Sequence, residues 1–190
     1  EFNSEAARQL LKEDGWLDVN NNGVIEKDGV EFAFTLFIPS GNPLREYAAT
    51  VIANDFKAIG IEMKTQKMEL GAFVENLYTK KMDAWMASLY IPVPLDLKTI
   101  WNSNLEKTPN NFASYQNDET DSLLNLVEKK ISNSEKRNIY LKFQKIIYQD
   151  NPVIFLYWTD NIIIYNSRLK NLTINPFGAL QKIWEWKIKV

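Results

Sequence analysis

The sequence contains no histidine and no cysteine among its 190 residues. Histidine is the commonest general base, so its absence excludes the Ser-His-Asp triad and every metal site built on imidazole. The absence of cysteine excludes thiol nucleophiles, thiolate zinc sites and disulfides. An enzyme with this composition would depend on carboxylates, lysines, tyrosines or serines alone, and we expect a protein that is not an enzyme.

Glycine is also scarce. None of the 7 glycines forms a G-x-G-x-x-G or P-loop pattern, so the common nucleotide-binding motifs are missing. Long apolar runs are missing as well, because the longest, Val153 to Trp158, falls far short of the roughly 20 residues that span a bilayer. The formal net charge of -2 shows no basic excess, which argues against nucleic acid as a partner.

What is present suits a soluble globular protein. The chain is 45% hydrophobic and 24% charged, and a chain of this length can bury one substantial core. No stretch rich in proline, glycine and serine divides it into parts. We therefore expect a single domain over residues 1–190.

A strand, a helix and a second strand follow one another early in the chain. Apolar residues alternate from Glu31 to Ile38, which predicts a strand. Asn42 and Pro43 then suit the N-cap and first turn of an amphipathic helix that runs to Ile59. A second strand, 61–65, follows at once. This order predicts a parallel, right-handed βαβ unit.

The segment Met82 to Leu89 is almost wholly apolar and predicts a central strand with helices on both faces of its sheet. Pro92 and Pro94 must end its ladder because proline has no backbone N–H. Open α/β sheets place ligand contacts in loops at strand ends, so we expect the ligand at the loop 90–96.

The second half of the chain predicts helices and then strands. Glu119 to Ile131 and Asn133 to about Tyr148 carry apolar residues at helical spacing, which predicts an αα-hairpin. Val153–Trp158 and Ile162–Tyr165 are short apolar runs with the composition of buried strands. A last strand with one apolar face is predicted near the C-terminus, from Trp184 to Val190.

An asparagine-rich turn precedes the first strand. Asp18, Asn20 and Asn22 have the D-x-N-x-N-G spacing of the first half of a calcium loop. The twelfth position of that loop requires an acid, and here it is Gly29. We therefore expect a plain Asn/Gly hairpin and no cofactor, with a structural calcium ion at these three residues as the weaker alternative.

Several short motifs, taken in order, resemble one known family, the family 5 extracytoplasmic solute-binding proteins of ABC importers. The chain is similar to the C-terminal lobe of these oligopeptide, dipeptide and nickel binders over nearly its whole length. The motifs that carry the resemblance are the helix Ala7–Trp16, the turn Asp18–Gly29, the joint Ile59–Ile61, the strand start Met82–Ala84, the segment Asn111–Leu124 and the segment Gln144–Leu156.

The resemblance implies an α/β fold, a mixed sheet with helices on both faces, as in a lobe of a type II periplasmic-binding protein. Residues 1–190 would form the C-terminal ligand-binding lobe of a larger two-lobed protein. Such a protein binds an oligopeptide or a related small solute and delivers it to a membrane permease. Its partners would be the ligand, the permease subunits and the missing N-terminal lobe. Its place would be the periplasm or the outer face of the cytoplasmic membrane, with or without a lipid anchor.

The resemblance also implies where the ligand lies. We predict ligand contacts from residues in or near the expected cleft: Tyr90, Asp96, Trp101, Asn111 and Tyr115. Peptide-binding members carry a W-x-x-D segment whose aspartate pairs with the peptide amino group. This chain has Leu89-Tyr90-Ile91-Pro92 at that place, so the acid is missing.

Two other function classes are compatible with the composition. Aromatic residues make up 13% of the chain, which suggests a carbohydrate-binding receptor domain whose rings stack on sugars. A hydrolase that uses a pair of carboxylates is the second alternative, and it requires two acids in one pocket.

Overall fold

The computed structural model describes residues 2–89, 95–106, 108–160, 162–174, 178, 180 and 182–189. The chain divides into two compact units, Glu1–Leu89 and Tyr90–Val190. Each unit has its own cluster of buried apolar side chains. The single domain expected over residues 1–190 stays a prediction.

The first unit contains three helices and five strands among its described residues. They are α1 (Ser4–Glu13), β1 (Glu26–Lys27), β2 (Val30–Glu31), β3 (Ala33–Pro39), α2 (Pro43–Ala58), β4 (Glu62–Met68), α3 (Leu70–Tyr78) and β5 (Ala84–Trp85). β1 and β2 form a small antiparallel hairpin. β3, β4 and β5 form a separate three-stranded sheet.

The larger sheet is parallel and has the order β4-β3-β5. β3 pairs with β4 over seven residues, from Ala33 opposite Glu62 to Pro39 opposite Met68. β5 pairs with β3 only through Ala84 and Trp85. The predicted parallel arrangement of the βαβ unit is confirmed. The prediction that 82–89 forms the central strand is wrong, because β3 is central and β5 has only one neighbour within the described residues.

Local sequence explains the position of α2. The side chain of Asn42 accepts a hydrogen bond of 3.0 Å from the backbone N–H of Arg45, and Pro43 occupies the first turn. Both features favour a helix start at this point. The inner face of α2 buries Ala49, and the rings of Phe34 and Phe56 meet edge to face at 5.5 Å. α2 thereby covers one face of the sheet.

α3 covers the other face. Crossovers between parallel strands are right-handed in nearly all proteins, and those from β3 to β4 and from β4 to β5 run in opposite directions, which puts their helices on opposite faces. Leu36 and Ile38 of β3 cluster with α2, whereas the buried Phe73 and Leu77 of α3 lie outside that cluster. The predicted α/β class, with helices on both faces of the sheet, is confirmed.

The second unit is mainly helical. Its described elements are α4 (Lys98–Trp101), α5 (Asp118–Val127), α6 (Asn133–Asp150), β6 (Leu169–Lys170), a 3-10 turn (Ile183–Glu185) and β7 (Lys187–Ile188). Ser132 and Glu135 form a reciprocal capping box that starts α6. α5 and α6 pack against each other, which confirms the αα-hairpin. The core of this unit consists of Trp101, Tyr115, Leu123, Leu124, Phe143 and Ile147.

The buried strands predicted at Val153–Trp158 and Ile162–Tyr165 are wrong for the described residues. No strand occurs at 152–160 or 162–168. Phe155 is 69% exposed, Trp158 87% and Ile164 93%. A strand needs neighbours that complete its ladder and cover its apolar face, and the described residues supply none here. Helices that are both long and apolar enough to cross a membrane are absent from the described chain.

Candidate functional site

The carboxyl ends of the three parallel strands form the most informative surface of the first unit. β3 ends at Pro39, β4 at Met68 and β5 at Trp85. The chain leaves β3 toward β4 on one side and later returns to β5 on the other side. This reversal makes a topological switch point between β3 and β5, and ligands of open α/β sheets bind outside the carboxyl ends at such points.

Arg45 lies at this switch point. It occupies the first turn of α2 and is half-buried. Its guanidinium donates to the carbonyl oxygen of Pro39 at 3.3 Å and to the hydroxyl oxygen of Ser88 at 3.3 Å. One side chain therefore joins the segment that ends β3 to the segment that follows β5.

Arg45 and Lys67 are both cations, but they differ in whether a described carboxylate pairs with them. Lys67 forms an ion pair with Glu46. The hydrogen bond from Lys67 and, to a smaller extent, its charge lower the pKa of the Glu46 carboxyl. Among the described residues, Arg45 donates only to neutral oxygens, and no carboxylate there lies within ion-pair distance of it. A half-buried cation without an anion is suited to receive one from outside.

Arg45 was not among the ligand contacts predicted from the sequence. The signal was present, because Asn42-Pro43 predicts the helix start and a strand of a βαβ unit precedes it. A charged residue in the first turn of that helix necessarily lies near the carboxyl end of the strand. The helix N-terminus carries a partial positive charge, so a cation there is unfavourable for the isolated helix. An arginine at a position where a cation disfavours the helix is therefore a signal of function.

Asn111 lies in the second unit, and its exposed fraction is 1%. Its amide nitrogen donates to the carbonyl oxygens of Asn102 at 3.1 Å and Tyr115 at 2.7 Å. Its amide oxygen accepts from the backbone N–H of Tyr115 at 3.0 Å. Both donors and the acceptor of this side chain are therefore used to hold the segment 102–115 together. Ligand contact by Asn111 stays a prediction.

Tyr115 is 9% exposed, and its hydroxyl donates to the carboxylate of Asp150 at 2.5 Å. Asn117 donates to the same carboxylate oxygen at 3.0 Å. Burial, followed by the hydrogen bond to Asp150 and its charge, raises the pKa of Tyr115 to about 12. These contacts fix the loop that precedes α5 to the end of α6. These hydrogen bonds do not test whether Tyr115 contacts a ligand, which stays a prediction.

Of the other predicted contacts, Trp101 packs against Tyr115, Asp96 lies apart from this network, and Tyr90 is not described. Trp101 is buried in the core, where its ring meets those of Tyr115 at 5.9 Å and Phe143 at 6.2 Å. Asp96 is exposed and accepts a hydrogen bond of 3.0 Å from the backbone N–H of Lys98, at the start of α4. Tyr90 lies outside the described residues. The structure thus brings together Trp101, Tyr115 and Asn111, in and beside one core.

The turn considered for calcium uses its side-chain oxygens internally. Asp18 accepts from the backbone N–H groups of Asn22 at 3.1 Å and Gly23 at 3.0 Å. The amide oxygen of Asn20 accepts from Asn22 at 2.9 Å, and that of Asn22 accepts from Val24 at 2.8 Å. Within the described ranges, no three residues among His, Cys, Asp and Glu are grouped to hold a metal ion. Calcium binding at this turn stays a prediction.

The comparisons with known proteins bear on the family. Residues 1–112 match the profile of the bacterial extracellular solute-binding proteins, family 5, middle region. The chain belongs to this family. The resemblance seen in the sequence motifs is therefore confirmed, and the helix α2 with Arg45 lies inside the matched region.

Individual relatives are similar over nearly the whole chain. The oligopeptide-binding protein AppA of Bacillus subtilis is 34% identical over 192 residues, which cover 98% of this chain and 35% of AppA. The structure of AppA in complex with a nonapeptide matches with a TM-score of 0.86 and 32% identity, over 99% of this chain and 38% of that one. NikZ from Campylobacter jejuni in complex with Ni(L-His) matches with a TM-score of 0.79 and 25% identity, over 98% and 39%.

The chain spans about a third of the length of the curated relatives it matches. About two thirds of such a relative therefore has no counterpart in this sequence. Within the described residues, the apolar side chains at 154–158, 162, 164 and 165 stay exposed.

Proposed function

We propose that this chain is the ligand-binding lobe of a receptor that delivers a small solute to an ABC permease, and that it performs no chemistry on the solute. It works together with the N-terminal lobe of the same receptor, in the periplasm or at the outer face of the cytoplasmic membrane. Membership of the family supports this proposal. The lack of histidine and cysteine agrees with it, because binding needs neither.

The half-buried Arg45 carries the proposal for the ligand. A planar guanidinium binds a carboxylate through two parallel hydrogen bonds, and such charge-assisted bonds are about twice as strong as neutral ones. An oligopeptide ends in a carboxylate, and the relative AppA is an oligopeptide-binding protein. We therefore propose an oligopeptide whose terminal carboxylate lies against Arg45, at the carboxyl end of β3.

A histidine complex of nickel also presents a carboxylate, and the likeness to NikZ makes it the second candidate. The two candidates share the same chemistry at Arg45. They differ in the rest of the ligand, so a direct comparison of binding separates them. The carbohydrate receptor and the carboxylate hydrolase stay alternatives without an observation in their favour.

Isothermal titration with a pentapeptide and with its C-terminal amide tests the contact at Arg45. The parent chain should bind the free acid about tenfold more tightly than the amide, since a hydrogen bond to a charged group contributes roughly 1.5 kcal/mol or more. Arg45→Met should bind both peptides equally. Lys57→Met, at the far end of the same helix, is the matched control and should retain the difference.

The absolute affinity tests whether this chain is one lobe of two. A lobe with half of its binding surface should bind more weakly than a Kd of about 1 µM, the equivalent of about 8 kcal/mol. Tighter binding by this chain alone contradicts the two-lobe proposal. Binding of a neutral oligosaccharide, with no binding of either peptide or of nickel with histidine, contradicts the proposed ligand.

A further inference from the structure

Asn22-Gly23 is the only Asn-Gly pair in the sequence. Such a pair is chemically labile, because glycine has no side chain to hinder attack by its own backbone nitrogen on the preceding side-chain amide. Both residues are exposed, and Gly23 has φ of +88°. The chemistry of this turn is independent of the solute and of the surface around Arg45.

The turn holds both reacting groups by hydrogen bonds. The backbone N–H of Gly23, which would attack, donates to Asp18 at 3.0 Å. The amide nitrogen of Asn22, which would leave, donates to Glu31 at 2.7 Å. The amide oxygen of Asn22 accepts from the backbone N–H of Val24 at 2.8 Å. These bonds hold Asn22 in one orientation and limit how often its amide carbon meets the nitrogen of Gly23.

We propose that Asn22 is a site of spontaneous deamidation whose rate is set by the hydrogen bond to Glu31. The nitrogen of Gly23 loses its proton to solvent and forms a bond to Cγ of Asn22. The bond from Cγ to Nδ2 breaks, and Nδ2 takes up a proton and leaves as ammonia. Water then opens the cyclic imide at one of its two carbonyls, which gives aspartate or isoaspartate. No atom is oxidised or reduced.

The product changes the electrostatics of the turn. An aspartate at position 22 has an oxygen where Nδ2 donated to Glu31, so two carboxylates meet at hydrogen-bond distance. The hairpin is joined to the sheet nearby, where the backbone N–H of Ile25 donates to the carbonyl oxygen of Gly60 at 2.8 Å. Repulsion at Glu31 therefore acts on a turn that is anchored to the joint between α2 and β4.

Peptide mapping by mass spectrometry after incubation at mildly alkaline pH tests the site. Aspartate and isoaspartate should accumulate at Asn22, while Asn20 and Asn21 in the same peptide serve as internal controls. Glu31→Ala should raise the rate several-fold, whereas Glu31→Gln retains an acceptor oxygen and should leave it nearly unchanged. The unfolded chain in concentrated urea should react faster than the folded parent.

Three results would overturn the proposal. One is that aspartate or isoaspartate accumulates earlier at another asparagine than at Asn22. The others are equal deamidation rates in the folded and unfolded parent, and equal rates in Glu31→Ala and Glu31→Gln. The consequence has its own test, because Asn22→Asp should lower the midpoint of thermal unfolding and the added change Glu31→Gln should recover most of the loss. A midpoint in Asn22→Asp equal to that of the parent would contradict the proposed repulsion.

Discussion

The loop around Asn111 and the surface around Arg45 are both rich in polar groups, yet they differ in one respect. Every hydrogen-bonding atom of the Asn111 amide has a partner within its own loop. The charge of Arg45 has no described carboxylate partner. A saturated polar group stabilises the fold, whereas an unsaturated one is available to a ligand. Whether a polar group already has its partners in the fold, more than its residue type, separates a structural role from a ligand-binding role.

The largest expected effect is at Asn111, where every hydrogen-bonding atom of the side chain has a partner. Asn111→Ala removes three hydrogen bonds at a site that is 1% exposed. It leaves backbone groups of Tyr115 without partners, so the free energy of unfolding should fall by about 2–4 kcal/mol. Urea unfolding followed by tryptophan fluorescence measures the change. Asn125→Ala, on the exposed side of α5, is the control and should change it by less than about 0.5 kcal/mol. Equal losses in the two variants would remove the basis of the comparison.

Tyr115→Phe breaks the same network at its edge. Loss of the bond to Asp150 should lower the free energy of unfolding by about 1–2 kcal/mol at neutral pH. The pKa of Tyr115 is raised from 10.0 to about 12 in the fold. Its stabilising contribution is therefore complete below pH 10 and is lost as the pH rises toward 12.

The stability of the parent should accordingly fall more steeply than that of Tyr115→Phe across this alkaline range. Urea midpoints at several pH values, compared between the two proteins, measure the slopes. Tyr148→Phe, whose side chain is 83% exposed, is the matched control. If the slopes of all three proteins coincide, Tyr115 does not titrate as its surroundings indicate.

Arg45→Met should change stability little, in contrast to its effect on peptide binding. The variant loses two hydrogen bonds of 3.3 Å and removes a cation from the positive end of α2. These effects oppose each other, so the free energy of unfolding should stay within about 0.5 kcal/mol of the parent. A loss as large as that in Asn111→Ala would show that Arg45 is a structural residue.

The smallest expected effect concerns the turn at Asp18. Its side-chain oxygens accept backbone N–H groups, as those of Asn111 do. We therefore expect neither EDTA nor added calcium to move the midpoint of thermal unfolding. Calorimetry in the two conditions measures this. A rise with calcium that Asp18→Asn abolishes would place a cation in the turn.

Much of the fold was predictable because local and tertiary preferences agree. α2 has a capping asparagine, a proline in its first turn and apolar residues at helical spacing, and all three point to the same helix. The strands at 153–158 and 162–165 were mispredicted because an apolar run shows only that burial is favourable. It cannot show whether the burying surface lies in the same chain.

The candidate site was harder to predict than the fold. Asn111 and Tyr115 were chosen by residue type and motif, and type alone does not show which hydrogen bonds the fold already makes. Arg45 was missed because a single arginine carries no motif. Its place in the first turn of a helix that follows a predicted strand was the available signal, and the structure adds its hydrogen bonds to Pro39, at the end of β3, and to Ser88, after β5. The sequence shows which polar groups are present, and only the tertiary structure shows which of them lack a partner within the fold.

The placement of Arg45 in the first turn of α2 also has a kinetic consequence. The guanidinium and the positive end of the helix add their fields at one place, and Glu46, the acidic residue of the same turn, is paired with Lys67. An approaching anion therefore feels attraction before contact, over about 8 Å at physiological ionic strength. The proposed receptor should capture anionic solutes faster in dilute buffer than in concentrated salt. Their escape, governed by short-range contacts, should depend much less on salt.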